Sequence, residues 1–252
     1  MERTAPMMDR IRNALAPHGT LRAAMNMANF LLVSGEEQDG TLKGVSPDLA
    51  RRIAHEINVP CDLVLYDSPG ALADDVHHDR WDIGNIAAEA ERAVHIDFSR
   101  PYIMIDANFM VPRDAPFTSN AEMDAPEIRI AAYERSAYDL WLTENFTKAQ
   151  MIRSESIGQS HADFNAGKAD VLASLKPKLL EEMAGRNDVR IIEPPFTGIM
   201  QAVGIRKGYP EALAFLDALI TDLIQSGFIK TKLETHGVAD KLSVPTANEP
   251  KT

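Results

Sequence analysis

Arg92 lies in the stretch ERAVHIDFSRPY, shortly before Phe98, Ser99, Pro101 and Tyr102. Its guanidinium offers two parallel N–H donors, the geometry that holds a carboxylate, and a shielded setting strengthens such a pair. An equally open reading is a solvated helix arginine facing Glu89 or Asp97. Glu89 and Glu91 are the carboxylates placed to act as a general acid on a ligand held there, though a solvated helix face explains both more simply. Ser136 opens a helical pattern directly after an apolar run, where a hydroxyl both caps the helix and faces an anion. Asn29, past the end of the first strand pattern, and Asp67, at the end of the second, stand where open α/β sheets take ligands. Other chemistries find no support. The chain has no GxSxG, no Walker A loop and no dinucleotide fingerprint, and its seven histidines lack metal-ligand spacing. No catalytic residue, metal or cofactor is expected.

These residues need elements to position them, and the pattern supplies strands alternating with helices. Residues 9–16 read as a short amphipathic helix and TLRAAM as the first buried strand, followed by a polar Gly-rich hairpin, GEEQDGTLKG. In GVSPDLARRIAHEI the apolar residues Val45, Leu49, Ile53 and Ile57 recur every fourth position, one face of a helix, with Ser46 expected as its N-cap and Pro47 at its first position. CDLVLY follows as a strand expected to be covered on both faces, with Cys61 buried and inert. A helix capped by Ser68, the strand WDIGNIA and a short helix over 89–95 come next. A second series runs through the strands IRIAAY, AQMIR, ADVLAS and VRIIE with helices between them, then the long strand GIMQAVGIRKG and two final helices. Such alternation implies βαβ units and mostly parallel sheets. The C-terminal helices return to the first lobe, so the chain crosses between lobes twice. Residues 241–252, rich in Pro, Thr, Asn and Lys, are expected to be disordered.

Composition narrows the partners. The 252 residues carry a formal net charge of −11, which disfavours nucleic acid and anionic membrane, since both reward clustered Lys and Arg. One cysteine excludes an internal disulfide. No apolar run approaches the length of a membrane span, so membrane insertion is not expected. The first residues show no apolar targeting segment, which as written implies the cytoplasm; a removed signal or a mis-assigned start would make the protein periplasmic.

Five motifs, in order, resemble the family 3 extracellular solute-binding proteins, the amino-acid-binding components of ABC importers. They are GVSPDLARRIAHEINVP, DRWDIGNIA, ERAVHIDFSRPY, GKADVLAS and VGIRKGYPE, and the likeness spans roughly residues 10–240. Cyclohexadienyl dehydratases, enzymes on the same fold, are about as similar around Arg92. The resemblance implies a type II periplasmic-binding-protein fold: two α/β lobes, 9–105 plus 203–240 and 106–202, joined by two hinge strands with a ligand cleft between them. It implies reversible binding of a small polar carboxylate, amino-acid-like or a hydroxy or keto acid, and an ABC transporter permease as partner. The alternative is a cytoplasmic enzyme on this fold, such as a dehydratase of a small carboxylic acid.

By the same resemblance Arg92 clamps the ligand's carboxylate, and Asn85 and Ala87 occupy positions where relatives place ligand-bonding serines. The backbone N–H groups of Ala87 and Ala88 would face an anion there. Ser136 matches a second-lobe ligand contact, in a sequence Arg135-Ser136-Ala137 where the family has Gly-Ser/Thr-Thr. One departure changes the chemistry expected. Where amino-acid binders carry an aspartate for the ligand's ammonium, this chain has Leu175, with Ser174, a further expected ligand contact, before it and Lys176 after it. An ammonium left without a counter-charge is costly, so a ligand with hydroxyl, keto or other neutral groups is favoured unless Glu134 or Asp67 supplies the charge.

Overall fold

The structure, a computed structural model, describes residues 4–245. The chain forms two compact units, the first comprising the residues up to Met104 and from Met200 onward, the second Ile105–Ile199. The sequence placed these transitions after 105 and after 202.

The first unit begins with α1 (Ala5–Leu15), β1 (Leu21–Asn26), the hairpin β2 (Gly35–Glu36) and β3 (Leu42–Lys43), α2 (Val45–Glu56) and β4 (Cys61–Tyr66). It continues with α3 (Pro69–Asp74), β5 (Ile83–Ala87), α4 (Ala90–Ala93) and β6 (Ile96–Phe98). β7 (Ile103–Pro112) carries the chain into the second unit, which holds β8 (Arg129–Tyr133), α5 (Ala137–Asn145), β9 (Gln150–Ser154) and α6 (Ile157–Asn165). β10 (Val171–Leu175), α7 (Lys176–Met183) and β11 (Val189–Ile191) complete it, and β12 (Thr197–Arg206) returns to the first unit, followed by α8 (Pro210–Gln225) and α9 (Phe228–Thr235).

In the first unit β1 lies between β4 and β5, parallel to both, and β12 runs antiparallel beside β5. A central parallel strand is covered on both faces, which is why Ala23, Ala24 and Met25 are all fully buried. Trp81, Ile86, Ile96 and Leu72 pack around Ala24 as one core. In the second unit β8 lies between β9 and β10 in parallel, while β7 runs antiparallel to β10 and β11. Met110, Ala131, Leu172, Phe164 and Val189 form a core there. α9 is tied back to α2 by Asp48, whose carboxylate lies 2.9 Å from Lys232 Nζ and 3.1 Å from His236 Nε2. Among the described residues no single helix is long and apolar enough to cross a membrane.

Three local expectations are corrected. The N-cap of α2 is Gly44, not Ser46: its φ is 139°, and a Cβ there would approach the Leu32 carbonyl oxygen to 2.2 Å. Ser46 is thereby carried inside the helix, where its hydroxyl lies 3.0 Å from the Tyr102 hydroxyl. β4 is an edge strand, so Cys61 is only half-buried and Leu65 is 50% exposed; the partial burial still pushes the thiol pKa up to about 11. The expected tail is ordered over its first residues. Leu242 is buried, and Ser243 exchanges backbone hydrogen bonds with Met104 at 2.8 and 3.1 Å. The remainder of that expectation, 246–252, lies outside the described residues.

The same clamp sets the strands of each unit. Arg22, in β1, grips Asp82, just before β5, through Nε at 3.0 Å and Nη2 at 2.7 Å, and its own backbone N–H donates to that carboxylate at 2.8 Å. Arg129, opening β8, grips Asp170, just before β10, with contacts of 3.0, 2.7 and 3.0 Å made in the same way. The two differ in depth. The Asp82 side chain is 1% exposed, whereas Asp170 is 38% exposed. Removing Asp82 takes away a buried carboxylate and orphans the Arg22 backbone N–H, although the Arg22 guanidinium keeps Asp79 at 2.8 Å, so Asp82→Ala should cost about 2–3 kcal/mol of stability. Asp170→Ala, at a screened site, should cost only about 1–2 kcal/mol. Urea unfolding of the two variants side by side checks the difference, and equal losses would contradict it.

Candidate functional site

In the first unit β5 ends at Ala87 and the chain turns through Glu89, the extended N-cap residue, into the four-residue helix α4. That turn carries Arg92 inward. The residue is 5% exposed, which rules out the solvated helix arginine, and its Nη1 donates to the Ala87 carbonyl at 3.0 Å. The segment after it is fastened by the Phe-Ser-x-Pro-Tyr residues. Ser99 Oγ accepts the Val203 N–H at 3.0 Å and donates to the Arg100 carbonyl at 2.8 Å. Tyr102 is fully buried, its N–H donating to the Gln201 carbonyl and its hydroxyl meeting Ser46. Burial drives the Tyr102 phenol far above its usual range, so it stays a neutral hydrogen-bonding group.

Asn85 shares this neighbourhood of β5. Its Nδ2 donates to the Ser46 carbonyl at 3.2 Å, which fixes the amide and leaves the buried Oδ1 without a hydrogen-bond partner. Asn29, which follows β1, has a buried Oδ1 in the same condition. A buried amide oxygen without a donor is a recurrent cost, and a donor brought to it relieves that cost. Ala87 is buried and pairs with Gln201 of β12. The Ala88 N–H, expected to face an anion, instead donates to the Met200 carbonyl at 2.9 Å. Asp67, just after β4, is exposed.

In the second unit Ser136 caps α5, its Oγ accepting the Asp139 N–H at 3.2 Å, and is 4% exposed. Arg135 before it holds φ at 56°, the left-handed conformation in which glycine is favoured. Its backbone N–H donates to Asp139 Oδ2 at 2.8 Å, and Arg153 Nε reaches the same buried carboxylate at 3.0 Å. This second acceptor network holds the turn in place of a glycine. Leu175, at the N-cap of α7, is 8% exposed, and Lys176 pairs with Glu193 at 2.8 Å. Glu134, the other carboxylate considered as a stand-in for aspartate, is exposed.

Ser174 is fully buried, and its Oγ lies 3.1 Å from Nε2 of His161 on α6. His161 Nδ1 in turn faces Glu182 Oε2 at 3.4 Å. The serine hydroxyl is thus engaged within the second unit's own core. His161 has no metal-ligand spacing and so carries no signal of that kind in the sequence. The usable signal was its place on the helix face shared with Ser160 and Phe164, both buried. Among the described residues no group of three His, Cys, Asp or Glu side chains is arranged to hold a metal.

Burial holds the His161 pKa below its ordinary value, against the opposing pull of Glu182. A depressed histidine pKa contributes stability above the unfolded value, near 6.5, which is lost as pH falls below it. Stability should therefore decline between about pH 7 and pH 5, before the carboxylates titrate, and His161→Gln should flatten that decline. Urea midpoints across this range provide the check; an unchanged slope in the variant would remove His161 as the cause.

A family model described as bacterial extracellular solute-binding proteins, family 3, matches residues 25–237. No curated protein sequence matches the chain at a significant level. Among solved structures, a cysteine-binding protein from Campylobacter jejuni is 20% identical, with a TM-score of 0.73 over 95% of this chain and 99% of that one. An amino acid ABC transporter substrate-binding protein from Streptococcus pneumoniae, bound to L-arginine, is 21% identical, with a TM-score of 0.72 over 91% and 99%. An ancestral amino acid-binding protein, a precursor of cyclohexadienyl dehydratase, is 21% identical, with a TM-score of 0.70 over 90% and 97%. These likenesses show the fold, the type II periplasmic-binding-protein fold.

Proposed function

Because this chain belongs to the bacterial extracellular solute-binding proteins, family 3, we propose that it reversibly binds one small carboxylate and presents it to an ABC transporter permease. The observation that carries this reading is Arg92: a residue 5% exposed, its guanidinium oriented by the Ala87 carbonyl, on a segment clasped by Ser99 and Tyr102. Orientation before binding lowers the entropy lost when the planar fork meets a carboxylate. The amide oxygens of Asn85 and Asn29 add acceptors for hydroxyl or N–H donors of the same ligand. Cysteine binding and L-arginine binding in the relatives support an amino-acid-sized solute.

The ligand favoured here is a hydroxy or keto acid over an α-amino acid. Leu175 stands where the family resemblance assigns an aspartate to the ligand's ammonium, so that charge would lack its partner. L-lactate, pyruvate, propionate and L-alanine differ at one substituent and form the panel that tests this. L-lactate should bind most tightly, because its hydroxyl donates to an amide oxygen, and L-alanine should bind at least about tenfold more weakly.

Arg92→Ala should weaken the best of these acids by more than about thirtyfold, as truncation of a desolvated charge pair costs about 2–5 kcal/mol. Arg92→Lys keeps the charge and loses the fork, so it should not restore binding. Calorimetric titration with parallel melting curves reads both. Normal binding with a lowered melting temperature would make Arg92 a structural residue only.

Leu175→Asp supplies the missing carboxylate at a helix N-cap, where aspartate is favoured by both capping and the helix dipole. Selectivity should move toward L-alanine by at least about tenfold relative to L-lactate. An unchanged ratio in a folded variant would show that residue 175 does not set the ligand's charge.

A further inference from the structure

The second unit contains a groove of about 730 Å³ at the end of its sheet where β8, β10 and β11 begin and β7 finishes. Ser136 follows the opposite end of β8, so the groove is separated from it by the length of that strand, roughly 17 Å for five residues. The volume is that of a small-molecule site. Its floor is apolar and rigid: Ile128, Phe164 and Val189 are buried, and the latter two belong to the unit's core.

The groove's charge is one-sided. Four carboxylates, those of Asp114, Glu127, Asp170 and Asp188, line it with a single guanidinium, that of Arg186. Arg186 is already spent: it holds Asp188 through two contacts of 3.1 and 2.8 Å and reaches Glu182 at 2.8 Å. Asp170 is held by Arg129. Asp114 and Glu127 have no ion-pair or hydrogen-bond partner among the described residues. The cations nearest in sequence do not answer them. Arg190 Nη2 donates to the carbonyls of Ala115, at 2.9 Å, and Phe117, and Arg113 donates to those of Asn187 and Val189. These bonds also fasten the wall that carries Asp114 and Phe117, so the groove is shaped in advance of any occupant.

We propose that this groove is a second ligand site, for a small organic cation with an apolar body, an aryl or branched-alkyl ammonium. The apolar part lies on Phe164 and Val189, and the ammonium meets Asp114 and Glu127, with the Phe117 ring able to add a cation–π contact. The site makes no use of Arg92, and its occupancy is independent of the carboxylate bound by the first unit.

Benzylammonium chloride titrated into the isotopically labelled full chain, followed by amide NMR, tests this. Saturable shifts should appear at Gly167 and Val189, which line the groove. Asp114→Asn combined with Glu127→Gln should raise the dissociation constant at least about tenfold, and benzyl alcohol, the neutral analogue, should bind at least about tenfold more weakly than benzylammonium. Both substituted residues are exposed and without partners, so the melting temperature should not move. Arg92→Ala should bind benzylammonium as the unaltered chain does. Equal binding of benzyl alcohol, undiminished binding by the double variant, shifts confined to residues outside the groove, or no saturable shift at all would each overturn the proposal.

Discussion

The clamp between Arg22 and Asp82 is the interaction on which the first unit's geometry rests. It joins the start of β1 to the start of β5 by a bidentate ion pair and a backbone hydrogen bond to the same carboxylate. With one end of two neighbouring parallel strands pinned, their register is determined, and a one-residue slip would turn every buried side chain to the other face. What emerges at the far end of β5 is therefore placed as well: Asn85, Ala87 and then the turn into Arg92. Arg129 and Asp170 repeat the device in the second unit, where the far end of β8 leads to Ser136. Asp82 and Asp170, in motifs that resemble the family's, are thus structural, and the residues proposed to bind ligand follow the far ends of the strands they pin.

A second level of constraint acts on Arg92 itself. A four-residue helix has little stability of its own and cannot hold a buried cation in place. The hold comes from its flanks: the Ala87 carbonyl on one side, and on the other Ser99 pairing with Val203 and Tyr102 buried against Ser46. Ser46 then links onward through its carbonyl to Asn85. The segment around the guanidinium and the amide of Asn85 belong to one hydrogen-bonded network, in which losing any member loosens the others.

Much of the fold was legible because it depends on local periodicity. The alternation of short apolar runs with helical faces, Ser68 as a cap and the hairpin before α2 all follow from neighbours in sequence. What escaped depends on residues far apart. Gly44 displaces Ser46 as a cap because of the Leu32 carbonyl, which no local pattern announces. Cys61 was expected to be buried because CDLVLY is apolar throughout, yet an edge strand is covered less than its composition suggests. Ser243 is ordered by Met104, more than a hundred residues away. The site was legible only in part, and for the same reason. The position of Arg92 before its Phe-Ser-x-Pro-Tyr stretch could be read, but its burial could not, and the His161–Ser174 contact is invisible without the packing of α6 on β10.

Two departures from the resembled pattern are Arg135 in a glycine conformation and Leu175 in an aspartate position. The first is absorbed by Asp139, and the second is the ground for the proposed preference for a ligand without an ammonium. Both leave the central claim resting on a carboxylate held by Arg92. The most direct test changes the ligand and not the protein: calorimetric comparison of L-lactate with L-lactamide, which keeps the hydroxyl and removes the negative charge. The account predicts that the amide binds at least about thirtyfold more weakly, the loss of a desolvated guanidinium–carboxylate pair. Equal affinity for the two would contradict it.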